Sequence, residues 1–232
     1  MKRVYEQAAA TVVEGRHRVM LDTKPLRSPA GQVLELPTAA LAAAIAAEWQ
    51  AQGDEIVVAR LALTRLACTV VDRIVPDRVA LERAIVAFAE TDLLCYRAEG
   101  PQALVARQQR IWQPVIDWAT LRFDAPLVPV VGVMHRPQPP AAVAALAAAV
   151  AAVADPWRLL VLHEVATLSG SLLLGLALLE RHLGIDDVWR AAQLDEDYQI
   201  EHWGEDPEAT RRRAGLRTDL EAAVRLLELL AR

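Results

Sequence analysis

Leu159–Leu179 reads LLVLHEVATLSGSLLLGLALL, and its placement decides what kind of protein this is. The run is long enough to cross a bilayer. However, His163 and Glu164 fall inside it, and Ser169, Gly170, Ser171 and Gly175 dilute it. Ionisable groups in hydrocarbon are expensive. The stretch is therefore predicted as a buried helix in a soluble helical bundle, with no stable membrane insertion.

Downstream lies the most acidic part of the chain, Leu194–Asp206, LDEDYQIEHWGED. Helical spacing over Asp186–Trp203 places Trp189, Ala192, Glu196, Ile200 and Trp203 on one face. Glu196 thus interrupts an apolar stripe, while Asp197, Glu201 and Glu205 follow an i,i+4 row on another. Like charges at that spacing repel. The arginines Arg211, Arg212 and Arg213 are candidates to answer that second row. A terminal helix follows through Leu216, Leu220, Val224 and Leu227.

Upstream the periodicity changes. Residues 1–37 alternate in short apolar runs broken by turn signals at Glu14-Gly15, at Asp22-Thr23-Lys24-Pro25 and at Ser28-Pro29-Ala30-Gly31. Thr38 is a good N-cap for a helix carrying Leu41, Ile45 and Trp49. Glu55–Val58 is predicted as one more strand. From about Thr64 almost everything has helical period, interrupted by the strand-like Leu127–Met134. The predicted fold class is α+β: a small α+β domain at 1–60, which an edge strand from 127–134 could join, and a mainly helical bundle at 61–232.

Composition excludes several functions. The chain has 232 residues, 54% of them hydrophobic, enough for a substantial core. Its net charge of −5 argues against nucleic-acid binding. Lys2 and Lys24 are the only lysines, so positive charge is almost entirely arginine, the residue suited to forked pairing with carboxylates. Cys68 and Cys95 read as reduced core thiols. The start, MKRVYEQ, has neither a secretory apolar region nor an Arg/Ser-rich presequence.

No phosphate loop, GxSxG, HExxH or CxxC occurs, so neither cofactor nor metal is expected. What remains are isolated carboxylates. A carboxylate on an apolar stripe is costly unless paired, so Glu196 is either an internal ion-pair member or part of a partner-binding groove. Glu164 poses the same question in the most apolar segment, and His163 beside it reads as a hydrogen-bonded core residue. Glu90–Arg97, ETDLLCYR, reads as a polar network at a helix end. An alternative makes Glu164 and Glu196 the acid/base pair of a hydrolase-like enzyme. Another is a helical interaction module for an unrelated partner.

Several segments carry a resemblance: Lys2–Tyr5, Leu21–Pro29 (LDTKPLRSP), Leu36-Pro37-Thr38, Ala47-Glu48-Trp49 with Gln52, Leu63–Ala67 (LTRLA), Glu90–Arg97, Leu168–Ser171 and Leu194–Glu201 with Trp203-Gly204-Glu205. In this order they resemble the assembly chaperones of the F-type ATP synthase that attend the alpha subunit of the soluble F₁ sector. The resemblance implies a non-enzymatic, bacterial cytoplasmic protein, monomeric when free. It would bind free alpha subunit before it pairs with beta. The partner-binding candidates are then Glu196, Glu164, Asp195, Asp197, Tyr198, Glu201, Trp203 and Trp49.

Overall fold

A computed structural model describes residues 2–231. The protein is α+β, with a small sheet near its N-terminus and helices through the rest. The chain divides into two compact units, Met1–Arg78 with Ala222–Arg232, and Val79–Glu221. The first unit thus runs past the expected boundary at residue 60 and takes back the end of the chain.

In the first unit β1 (Ala8–Val13), β2 (Arg16–Leu21) and β3 (Lys24–Pro25) form an antiparallel meander. The two-residue Glu14-Gly15 turn joins β1 to β2, with φ of 53° and 76°, the left-handed pair a tight hairpin needs. Helix α1 (Ala39–Gln50) packs on β1 and β2, burying Leu41, Ile45 and Trp49. Thr38 caps it as expected: its hydroxyl oxygen accepts from Leu41 N–H at 3.1 Å and its hydroxyl donates to Leu229 O at 2.8 Å.

Trp49 is a pillar of this unit. It is 9% exposed, its indole N–H donates to Thr64 Oγ1 at 3.0 Å, and its carbonyl accepts the Tyr5 hydroxyl at 2.7 Å. The neighbouring Glu48 carboxylate accepts from the Leu63 and Thr64 N–H groups at 2.7 and 2.9 Å, capping α2 (Ala62–Thr69), whose own preceding residue makes no side-chain cap. The expected strand at Glu55–Val58 does not form. Glu55 makes a single bridge to Lys2, and Val58–Arg60 turns as a 3₁₀ segment, because the Gln52 side chain takes the Val57 N–H at 2.8 Å.

The second unit begins with α3 (Arg78–Glu90) and continues through β4 (Tyr96–Arg97), α4 (Gln102–Phe123), β5 (Val130–Val131) and α5 (Pro140–Ala151). It then runs through α6 (Pro156–Ser169), α7 (Leu172–Leu179), α8 (Ile185–Ala192) and α9 (Leu194–Trp203), and into α10 (Pro207–Leu230). The strand-like 127–134 segment does not join the N-terminal sheet. It contributes only β5, which pairs in parallel with β4 of its own unit. Two features keep it short: Pro129 has no N–H, and the Gln138 side chain occupies both the N–H and the carbonyl of Val128, at 2.8 and 3.1 Å.

The opening apolar stretch is two helices rather than one. Gly170, at φ 68°, ends α6 in the left-handed region, and Ser171 starts α7 by accepting from Leu174 N–H at 3.1 Å. All eight residues of α7 are buried. Among the described residues no helix is long and apolar enough to cross a membrane. The helices approach closely at Gly175, where a Cβ would lie 2.8 Å from Leu162 Cδ1 and 3.2 Å from the Leu162 carbonyl oxygen.

Asp92 ties this hairpin to the preceding chain. Its fully buried carboxylate accepts from Leu94 N–H and Leu173 N–H, both at 3.1 Å, and so caps the Leu93–Cys95 turn and the start of α7 together. Leu93 N–H donates to Gly170 O at 2.9 Å. Burial raises the Asp92 pKa to about 6 against the lowering effect of these donors. Burial also lifts the Cys68 and Cys95 thiols, to about 11 and about 12, so neither is a ready nucleophile. Cys95 is buried as expected, whereas Cys68 is only half-buried.

Two outcomes are expected. Gly175→Ala should destabilise the protein by about 1–3 kcal/mol through overpacking against Leu162, read as a lower urea midpoint at unchanged slope. For Asp92 the folded pKa lies above the ordinary value, so the folded state holds the proton longer. Its contribution is therefore greatest below about pH 4 and is lost as pH rises to about 6. The stability gap between the native protein and Asp92→Asn should shrink by about 2–3 kcal/mol between pH 4 and pH 7, measured by urea denaturation.

Candidate functional site

The expected single helix over Asp186–Trp203 is broken at Gln193, whose φ of −101° and ψ of 10° leave the helical range. The two halves therefore carry separate phases. In α9 the buried positions are Leu194 and Tyr198 rather than a stripe through Glu196 and Ile200. Glu196 sits beside that stripe, partly exposed.

Each acid of α9 has an assigned partner within the second unit. Asp195 accepts from Gln108 Nε2 at 2.7 Å, and Gln108 in turn accepts Ala98 N–H at 2.8 Å. Glu196 accepts from Arg212 at 3.0 Å. Asp197 is bonded to Arg213. Glu201 receives a two-pronged bond from Arg107, at 2.8 and 2.7 Å, which holds its carboxyl below the usual range. Arg107 also lies over the Tyr198 ring at 5.4 Å, and His202 stacks on the same ring at 4.1 Å. Of the three arginines expected to answer the acidic row, Arg212 and Arg213 pair with α9 acids, Arg212 with Glu196 and Arg213 with Asp197. Arg213 and Arg217 both lie over the Trp189 ring, at 5.9 and 5.7 Å, which anchors α10 against α8.

The Arg107–Glu201 and Arg213–Asp197 pairs border a groove of about 440 Å³ whose wall includes Arg107, Arg110, Ile111, Asp197, Ile200 and Glu201. It is mixed in charge, with apolar side chains between the charged ones. At the end of α9, Trp203 stands 76% exposed, an unusual position for a large aromatic side chain. Of the groove arginines, Arg213 is singled out from sequence, whereas Arg107 and Arg110 are not. The signal available was the spacing of Arg107, Arg110 and Ile111 along one side of α4.

A buried polar layer lies beneath. Arg97 is 8% exposed, lies over the Trp112 ring at 5.3 Å and donates to Gln113 at 3.2 Å, while its Nε and Nη1 find no acceptor. Burial lowers its pKa, opposed by the charges of Cys95 and Asp195. The Glu90–Arg97 network is thus a fold element centred on Asp92 and Arg97.

The remaining candidates lie elsewhere. Glu164 sits mid-way along α6, not in its first turn, and its nearest partner is His163 Nδ1 at 3.7 Å. That distance is too long for a hydrogen bond, so His163 is not the hydrogen-bonded residue expected, and its Nδ1 has no partner. Neither Glu164 nor Glu196 lines the groove, and Glu196 is held by Arg212, so the acid/base-pair reading fails on geometry. Trp49 belongs to the core of the first unit. Among the described residues no cluster of His, Cys, Asp and Glu could hold a metal ion.

The Arg107–Glu201 pair is solvent-exposed and therefore adds little to stability. Arg107→Met should therefore shift the thermal midpoint by no more than about 3 °C, measured by calorimetry.

Comparison with known proteins places this geometry. The ATP12 chaperone protein family matches residues 2–120. The crystal structure of Atp12 from Paracoccus denitrificans is 38% identical, with a TM-score of 0.91, over 99% of this chain and 98% of that one. A mutant of the same Paracoccus protein, with one aspartate replaced by lysine, matches with the same identity and TM-score, over 99% and 97%. Atu1473 from Agrobacterium tumefaciens, described as a putative chaperone, is 43% identical with a TM-score of 0.93, over 99% of this chain and 86% of that one.

Proposed function

This chain belongs to the ATP12 chaperone protein family, and we propose that it binds the free alpha subunit of the F-type ATP synthase before that subunit pairs with beta. The family is one of chaperones, so the chain is not an enzyme. Its place of action on this reading is the bacterial cytoplasm.

One observation carries the choice of surface. Glu196, Asp197 and Glu201 are satisfied by the protein's own arginines, and two of these pairs, Arg212–Glu196 and Arg107–Glu201, are exposed, while Arg213–Asp197 is part-buried. A client offering arginines or carboxylates can exchange with them at little cost, because exposed pairs are individually weak. Charge complementarity of this kind speeds encounter and rejects wrong partners more than it adds affinity. Affinity would come from the apolar elements alongside, Ile200 and the exposed Trp203.

Within this reading the candidates divide by task. Asp197, Glu201 and Trp203 present the contact surface, with Glu196 on its flank. Asp195, bonded to Gln108, and the buried Tyr198 hold α9 in place from below. Glu164 and Trp49 lie outside the groove. The lysine-substituted Paracoccus relative supports the idea that an acid-to-lysine reversal is compatible with this fold, since it matches as well as its parent.

The test uses Glu196→Lys and Trp203→Ala in capture of purified alpha subunit. Both variants should keep the native circular dichroism spectrum and lose capture by at least about tenfold. Normal capture by both would remove the α9 surface from the account.

A further inference from the structure

The hairpin register exposes an unguarded sheet edge on the first unit. Val13 pairs with Arg16 across the two-residue turn, and the ladder continues through Thr11 with Arg18 and Ala9 with Met20. In an antiparallel ladder the intervening residues turn their main-chain groups the other way. The surroundings agree: Asp22 N–H donates to Gln7 O, while the His17 and Val19 carbonyls accept from Leu36 and Leu26 on the far side of β2. Ala8, Ala10 and Val12 therefore direct their N–H and C=O groups out of the sheet. Ala8 N–H is taken by the Gln50 side chain at 2.7 Å. Those of Ala10 and Val12 have no partner among the described residues.

This edge lacks the usual protections. Ala8–Val13, AAATVV, contains no charge and no proline, and Val12 is 60% exposed. Natural proteins normally blunt such edges with lysine, proline or a bulge, because a bare edge is a template for another strand.

We propose that β1 docks an extended segment of another protein by strand addition, an uncharged strand flanked at its ends by basic residues. Main-chain bonds to Ala10 and Val12 supply binding, and the ends supply selectivity. Glu6 and Glu14 stand exposed at the two ends of β1. They favour Lys or Arg on the incoming strand and disfavour a second copy of this chain, because antiparallel self-pairing about Ala10 sets Glu6 against Glu14 twice. This strand shares no residue with the α9 groove, and the proposal does not depend on the groove's role.

The test titrates the full-length protein with a labelled peptide, KVTVTVK, and its acidic counterpart, EVTVTVE, at low salt, following anisotropy and amide hydrogen exchange. KVTVTVK should bind at least about tenfold more tightly than EVTVTVE and protect the amides of Ala10 and Val12. Ala10→Pro removes an outward N–H without touching the ladder to β2, and should abolish binding. Val12→Lys, an exposed change with no backbone demand, should weaken it by about tenfold or more. Absence of binding to the native protein up to about 1 mM, or undiminished binding by both variants, overturns the proposal. A concentration-dependent dimer that Val12→Lys dissolves overturns the choice of occupant. Capture of alpha subunit by Ala10→Pro tests the α9 reading separately.

Discussion

The buried Asp92 carboxylate is the constraint on which the second unit rests. It serves two backbone starts at once, Leu94 in a 3₁₀ turn and Leu173 at the head of α7. Without it, two buried N–H groups would be left without acceptors, each costing about 1–3 kcal/mol. Its placement fixes where α7 begins, and α7, buried along its whole length, is the rod around which α4, α6 and α8 are arranged. That arrangement in turn presents α9 and the arginines of α4 and α10 on one surface. The burial that raises the Asp92 pKa is the cost of this arrangement, offset by several donors converging on one carboxylate.

The outer layer follows a different logic. Beneath α9, Asp195, Gln108 and Arg97 form part-buried polar contacts that fix geometry. Above, the pairs made by Arg107 and Arg212 are exposed and individually weak, and the pair made by Arg213 is part-buried. A chaperone must hold its client and also let it go. Exchangeable pairs over a rigid base suit that task better than a large apolar face, which would release slowly. Near-exclusive use of arginine matters here, since the guanidinium groups that satisfy Glu201 and Asp197 within the chain are equally able to engage a client's carboxylates.

Much of this is legible in the sequence, where local chemistry decides the outcome. The Thr38 cap and the Glu14-Gly15 hairpin can be read directly because each depends on residues within one turn of chain. The motif residues account for the family and, with the change of period after the first helix, for the α+β class. What escapes are long-range substitutions of one hydrogen bond for another. Gln52 and Gln138 capture backbone groups that strands at 55–58 and 127–134 would need. The helix breaks at Gly170 and Gln193 are hidden because apolar periodicity continues across them. The second of these changes the site. With its own phase, α9 buries Leu194 and Tyr198, so Glu196 is a flanking residue and Asp197 and Glu201 face the groove. Of the arginines opposite them, Arg213 of α10 is among those the sequence offers, whereas Arg107 of α4 lies too far away in sequence to be connected with Glu201.

The central claim is that the α9 groove and Trp203 form the surface that holds free alpha subunit. Site-specific photo-crosslinking from position 203, in cells producing the ATP synthase, tests it most directly. The account predicts one dominant crosslinked product containing the alpha subunit, which disappears when Glu196→Lys is combined with the probe. Crosslinks to other proteins alone, or an alpha-subunit product that persists in the charge-reversed variant, would contradict it.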